Sequence, residues 1–168
     1  TSPADTQIDV FGKYTNSDVA ECEKIEDAYE KDVCYYDVAY RGGEGETVCD
    51  KIGDSKTKLR DILIRDLCYQ NIASDKAKIP GYLVTAKDIC EQIQTPSMKY
   101  GCYFDVAILT GDTELCKRLE EVGNRFEGIG NSDSCYSYVA LGSADPALCE
   151  KVVDSVLKEN CINSINRK

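Results

Sequence analysis

Ten cysteines are the residues of this chain best suited to chemistry, and the sequence contains no histidine. The first two stand in "DVAECEKIEDAYEKDVCYYDVAY", residues 18 to 40, each among a fixed set of apolar neighbours. Metal ligation, thiol redox work and disulfide cross-linking are the chemistries to weigh. Zinc and iron–sulfur sites favour clustered ligands such as C-x-x-C, and no two cysteines here are closer than twelve residues. A redox-active thiol lacks both that motif and a basic group at a regular position beside it. Without histidine, Cys₂His₂ zinc sites, Ser/His/Asp and Cys/His catalysis and c-type haem attachment are excluded. An even number at several times ordinary usage points to disulfides and an oxidising compartment. No metal and no other cofactor is expected.

Aligned on its cysteines, the chain repeats five times, and each copy carries two signatures. The first is a polar start followed by C-x-x-[ILV]: Cys22 to Ile25, Cys49 to Ile52, Cys90 to Ile93, Cys116 to Leu119 and Cys149 to Val152. Asp145-Pro146 before Cys149 reads as a helix start. The carboxylate can accept from the orphan amides of the first turn, and the proline's missing N–H is harmless at the first position. The second signature is C-[YI]-x-x-[VI]-A, from Cys34, Cys68, Cys102 and Cys135, degenerate after Cys161. Positions i, i+1, i+4 and i+5 make one helical stripe, and the small alanine allows a close neighbouring helix. The two signatures predict a helical hairpin per copy.

Within a copy the cysteine separation alternates between twelve and nineteen residues. The seven-residue increment is about two helical turns, so it predicts a longer hairpin with the same inward face. Between the second and third copies, Pro80-Gly81 is a strong turn signal. The Gly-rich stretch Gly123 to Gly130 predicts a loose fourth hairpin. One cysteine per helix suggests pairing within each copy: Cys22 with Cys34, Cys49 with Cys68, Cys90 with Cys102, Cys116 with Cys135, and Cys149 with Cys161. This choice among about 945 connectivities rests on the repeat symmetry. Its rival pairs each second cysteine with the next copy's first, stranding Cys22 and Cys161. Closing loops of this size contributes on the order of 3 kcal/mol each, offsetting the few core positions that one hairpin has.

A formal charge of −10 and a pI near 4.5 argue against a nucleic-acid partner, since phosphate would be repelled. No apolar run approaches the roughly 20 residues of a membrane span. Starting at Thr1 without methionine or an apolar leader, the chain is expected either to have lost a signal peptide or to be trimmed, and it reads as exported. Carboxylates are plentiful enough for a paired-acid glycosidase, but none breaks the repeat in an apolar setting, so no enzyme is expected. Asp37 and Asp105 recur three residues after a cysteine, with Asn71 and Asn163 in related slots, and read as a solvated or inter-repeat hydrogen-bonding face. No EF-hand-type calcium loop and no N-x-[ST] sequon occurs.

Of the eleven tyrosines, Tyr35, Tyr69, Tyr103 and Tyr136 follow the second cysteine and read as core. Tyr36, Tyr40, Tyr82, Tyr100 and Tyr138 fall off that register and are candidate interface residues. So are Ile8, Val10, Phe11 and Tyr14 in residues 1–16, which precede the repeats. This leader is expected to be extended, lying either on its own first hairpin or on a neighbouring molecule. The second alternative would build a filament, because a head-to-tail contact that does not close is open-ended.

The D-x-x-x-C-x-x-I and C-Y-x-x-[IV]-A elements resemble disulfide-stitched helical repeats, of the Sel1-like and TPR-like solenoid kind, and the cysteine-containing helical repeats of exported archaeal and bacterial surface proteins. The resemblance covers residues 18 to 166 and departs from Sel1-like repeats in its longer cysteine spacing and in lacking their glycine and alanine pattern. It implies architecture and no functional residue. The expected fold is all-α: a right-handed-type α-solenoid of five disulfide-stapled helical hairpins, at about 17–41, 44–74, 85–109, 111–141 and 143–167, after the N-terminal segment. The expected role is a non-enzymatic cell-surface scaffold or filament subunit whose partners are copies of itself or another surface protein. A monomeric recognition module for a protein, peptide or glycan is the alternative, and a small hydrolase the second alternative.

Overall fold

The computed structural model describes residues 11–43, 45–57, 61–120 and 131–167. Its elements are helical: α1 (Val19–Glu23), α2 (Ala28–Tyr36) running on as a π-helical turn (Asp37–Arg41), α3 (Glu46–Cys49), α4 (Ile64–Ala77), α5 (Leu83–Glu91), α6 (Pro96–Thr110), α7 (Thr113–Glu120), α8 (Ser132–Ser143), a 3₁₀ helix (Pro146–Lys151) and α9 (Ser155–Asn166). The described residues contain no β-strand, only an isolated antiparallel bridge between Lys56 and Leu63. Several helices are started by a side-chain cap. Asp18 accepts from the Glu21 amide at 2.8 Å while Glu21 accepts from the Asp18 amide at 3.3 Å, a capping box. Asp27, Asn131 and Asp154 cap α2, α8 and α9 in the same sense.

Disulfides join Cys22 to Cys34, Cys49 to Cys68, Cys90 to Cys102, Cys116 to Cys135 and Cys149 to Cys161, so each ties a short first helix to the longer second one. These disulfide-linked pairs follow one another in the chain. Helix α4 packs on α5 and α6, α6 on α7 and α8, and α8 on the 3₁₀ helix and α9. The second-helix stripe is buried in the first four pairs, including Val38, Ile72, Val106 and Val139 and the alanine after each. Ile52, Ile93, Leu119 and Val152, three residues after the first cysteines, are buried too, each side chain worth roughly 1.5–3 kcal/mol. In the fifth pair only Cys149, Val152 and Cys161 are buried, and Ala140, Cys149 and Cys161 form a separate small cluster.

One local expectation is corrected. The extra seven residues of the second pair do not lengthen its helices: α3 is a four-residue helix, and the surplus lies between α3 and α4, beside the Lys56–Leu63 bridge. Asp145-Pro146 opens a helix as expected, of the 3₁₀ kind, with Asp145 accepting from the Ala147 amide at 3.0 Å. Residues 11–16 run as consecutive turns. The rest of the leader, with Ile8 and Val10, and the Gly123 to Gly130 stretch lie outside the described residues. Pro80-Gly81 sits in a turn, with Gly81 at φ +90°.

Candidate functional site

The residues with polar chemistry converge at the seams between linked pairs. Two residues before the second cysteine, Asp32, Asp66 and Asp133 each reach into the following pair and accept two backbone amides of its inter-helix loop. Asp32 takes Gly53 and Ser55 at 2.8 and 3.2 Å. Asp66 takes Gln94 and Thr95 at 3.0 and 2.9 Å. Asp133 takes Val153 and Asp154 at 3.0 and 2.8 Å. The amides taken by Asp66 and Asp133 stand at the start of α6 and α9 and lack intrahelical acceptors, and in all three cases the preceding pair satisfies donors that the loop does not. Asp66 is fully buried and Asp32 nearly so. In the third pair the same position is Tyr100, and the loop it would face includes residues outside the described ones.

A second contact accompanies the first. The residue two after the second cysteine meets the residue three after the next pair's second cysteine. Asn71 donates to the Tyr36 hydroxyl at 2.8 Å, and Gln70 donates to Asp105 at 3.0 Å. Phe104 packs edge-on against Tyr138 at 6.0 Å, while Ser137 and Ser164 line one cleft of about 220 Å³. The Ser137 hydroxyl there has no hydrogen-bond partner among the described residues. Burial holds the Asp105 carboxyl above the usual carboxylate range, and the Gln70 bond only partly opposes it.

Within the pairs, three of the core tyrosines aim their hydroxyls at a carboxylate on or at the end of the first helix. Tyr69 donates to Asp50, Tyr103 to Glu91 at 2.5 Å, and Tyr136 to Glu120 at 2.8 Å. Burial, and then the carboxylate, raise all three phenols, Tyr136 to about 12. Glu91 also meets Arg118 at 2.6 Å, and the Tyr103 hydrogen bond is the main reason its carboxyl lies below the usual range.

The candidate interface residues separate into two sets. Phe11, Tyr14, Tyr36 and Tyr40 come together on the first pair. The Phe11 ring lies 4.5 Å from Tyr36, which lies 5.8 Å from Tyr40, and Tyr36 is buried. Burial raises the Tyr36 phenol to about 12 against the opposing Asn71 bond. The turn bearing Phe11 is held by Asp37, which is fully buried and accepts the Gly12 amide at 2.7 and 2.8 Å and the Tyr14 amide at 3.0 Å. Gly12 makes this approach at φ +97°, where a side chain is disfavoured. Tyr14 and Lys13 both reach Glu30, at 2.7 and 2.8 Å. The remaining tyrosines are dispersed: Tyr82 is exposed beneath Lys76, Tyr100 lies against Tyr103, and Tyr138 is exposed against Phe104.

Among the described residues no cluster of histidine, cysteine or acid side chains has the geometry of a metal site, and no helix is long and apolar enough to cross a membrane. One cleft of about 410 Å³ is lined by Glu46, Asp50, Tyr69, Thr85, Asp88, Ile89 and Gln92. The linking aspartates carry no obvious mark in the pattern built on cysteines, but a marker is present. Asp32-Val33-Cys34, Asp66-Leu67-Cys68 and Asp133-Ser134-Cys135 share D-x-C, and Glu159-Asn160-Cys161 substitutes the longer acid. No protein-family model, curated protein or solved structure matches the chain.

Proposed function

We propose that the chain is a non-enzymatic, exported scaffold protein: an α-solenoid of five disulfide-stapled hairpins whose work is to hold a cell-surface or filament structure. The observation that carries this reading is the repeated linking carboxylate, Asp32, Asp66 and Asp133, each joining one pair to the next through two loop amides. These three carboxylates serve as structural acceptors, and repetition of one junction is how stacked units gain a continuous core. Five disulfides fit a compartment where thiols are oxidised. The role itself rests on architecture.

The second reading, a recognition module, draws on the carboxylate-lined cleft at Glu46, Asp50 and Asp88, whose volume falls within the roughly 300–1,000 Å³ of ligand sites and whose charge suits a basic peptide segment. Chemical cross-linking on intact producing cells, with thiol labelling by a membrane-impermeant reagent, separates the two. The scaffold reading expects oxidised cysteines outside the cell and a ladder of cross-linked species at multiples of the 18.6 kDa chain. Free thiols inside the cell, or one adduct with a different protein and no ladder, would sink it.

A further inference from the structure

The two ends of the array carry the two halves of its internal junction. On α9, Glu159 stands two residues before Cys161, the position of Asp133 before Cys135, and Asn163 stands two after it, the position of Gln70 after Cys68. Both are exposed, and neither has a hydrogen bond among the described residues, whereas their counterparts hold a following pair. At the other end, Glu26 and Asp27 occupy the loop positions of Val153 and Asp154. Asp27 caps α2 as Asp154 caps α9, yet among the described residues no carboxylate takes the Glu26 and Asp27 amides. Asp37 is the counterpart of Asp105, which elsewhere accepts an amide side chain from the preceding pair. In the first pair its place is filled from within the chain, by the Gly12 and Tyr14 amides.

We infer that a second copy of this chain docks head to tail, Glu159 capping the Glu26–Asp27 loop and Asn163 donating to Asp37 of the next molecule, once the Phe11–Asn16 turn has left Asp37. The occupant is a second copy because each outward group has its complement at the opposite end of the same chain. The contact continues a junction already present inside the chain, using Asp133 and Gln70 as templates. The turn is a plug: it takes the slot of a preceding pair on Asp37 and is held there by Tyr36 and Glu30, so this chain has an open tail and a closed head. Such a heterologous contact does not close on itself and extends into a fibre. The formal charge of −10 per chain opposes association, so the contact strengthens as salt screens it. This inference deepens the scaffold reading and rests on it.

The test uses full-length chains in sedimentation velocity. Phe11→Ser with Gly12→Pro and Tyr14→Pro removes the ring on Tyr36 and both donated amides, releasing the turn. This variant is expected to grow beyond a dimer as concentration rises, and adding Glu159→Lys weakens its association at least about tenfold, the loss of two hydrogen bonds to a charged group. Wild type mixed with the released-turn variant carrying Glu159→Lys has one open tail and one open head, and is expected to form a 1:1 dimer and nothing longer. A released-turn variant with native helix content that stays monomeric overturns the inference, as does assembly unaffected by Glu159→Lys. In that last case a cross-linking ladder on cells still supports the scaffold, through another surface. Loss of the ladder together with free thiols rejects the scaffold reading itself.

Discussion

Asp66 and Asp133 make the same link at two places in the chain, with amide distances of 3.0 and 2.9 Å for one and 3.0 and 2.8 Å for the other. Their surroundings differ. Asp66 is fully buried inside the main core, while the bonds of Asp133 are open to solvent beside the small separate cluster of the last pair. Equal geometry therefore does not mean equal energy. Water can replace Asp133 on its two amides, and it cannot readily reach those that Asp66 satisfies. The middle of the array is welded by its junctions, and the last pair is attached to it.

The largest effect should come from Asp66→Ala, which strands two amides below the surface. Each bond to a charged acceptor is worth about 1.5–3 kcal/mol, so a loss of about 3 kcal/mol or more is expected in urea unfolding. Asp133→Ala should cost about 1 kcal/mol. Equal costs for the two would break the comparison.

Removing one disulfide probes the same contrast. Cys90→Ala with Cys102→Ala should lower global stability by about 3 kcal/mol. The pair Cys149→Ala and Cys161→Ala should instead release 146–166 locally, seen as faster amide exchange there with the α4–α6 amides unchanged. Uniformly faster exchange along the chain would mean that the last pair belongs to the same cooperative unit.

High pH addresses the first and fourth pairs through their phenols. Tyr36 and Tyr136 ionise near 12 when folded, against an ordinary value of 10.0. A raised acid favours the folded state while it is neutral, so this stabilisation is full below pH 10 and is lost as pH rises through about 12. Unfolding should therefore set in between those values, with tyrosinate absorbance and helix loss moving together. Tyrosinate forming fully near pH 10 with the helices intact would show that burial does not protect these hydroxyls.

The cysteine spacing made the helical pairs legible because a disulfide and a 3.6-residue stripe both constrain type and position strongly. The tyrosine after each second cysteine and the alanine four residues later were readable for the same reason. The linking aspartates are not legible in the sequence, since an acid in an acidic chain looks like surface until its partner is known. D-x-C stands at the second cysteine of three copies and also at the first cysteine of another, Asp88-Ile89-Cys90, and its meaning lies in loop amides of a different copy, which carry no side-chain signature. The length rule failed for the second pair for a related reason. Seven residues are two turns of helix only if the segment is helical, and Gly53, Asp54 and Ser55 favour a loop that Asp32 then fixes. The Asp37 plug depends on backbone amides too, and the sequence marks it only by Gly12.

The helix ends of α6 and α8 offer the finest comparison. Gly111 and Ala144, each nine residues past the second cysteine of its pair, end their helices in the left-handed region, at φ +77° and +54°. The backbone does the same task at both, and only one has the residue suited to it. A side chain there costs roughly 1–2 kcal/mol, while glycine gives back about 0.4–1 through the more mobile unfolded chain. Ala144 is exposed, so its methyl offers little packing in return. Ala144→Gly should therefore stabilise the protein by about 0.5–1 kcal/mol. Gly111→Ala should cost a similar amount, since an added Cβ there meets nothing within 4 Å and the penalty is conformational alone. Measured by urea unfolding, a shift at position 111 without the opposite one at 144 would mean that the last pair unfolds before its helix end matters, and would locate the weak joint of the array at α8.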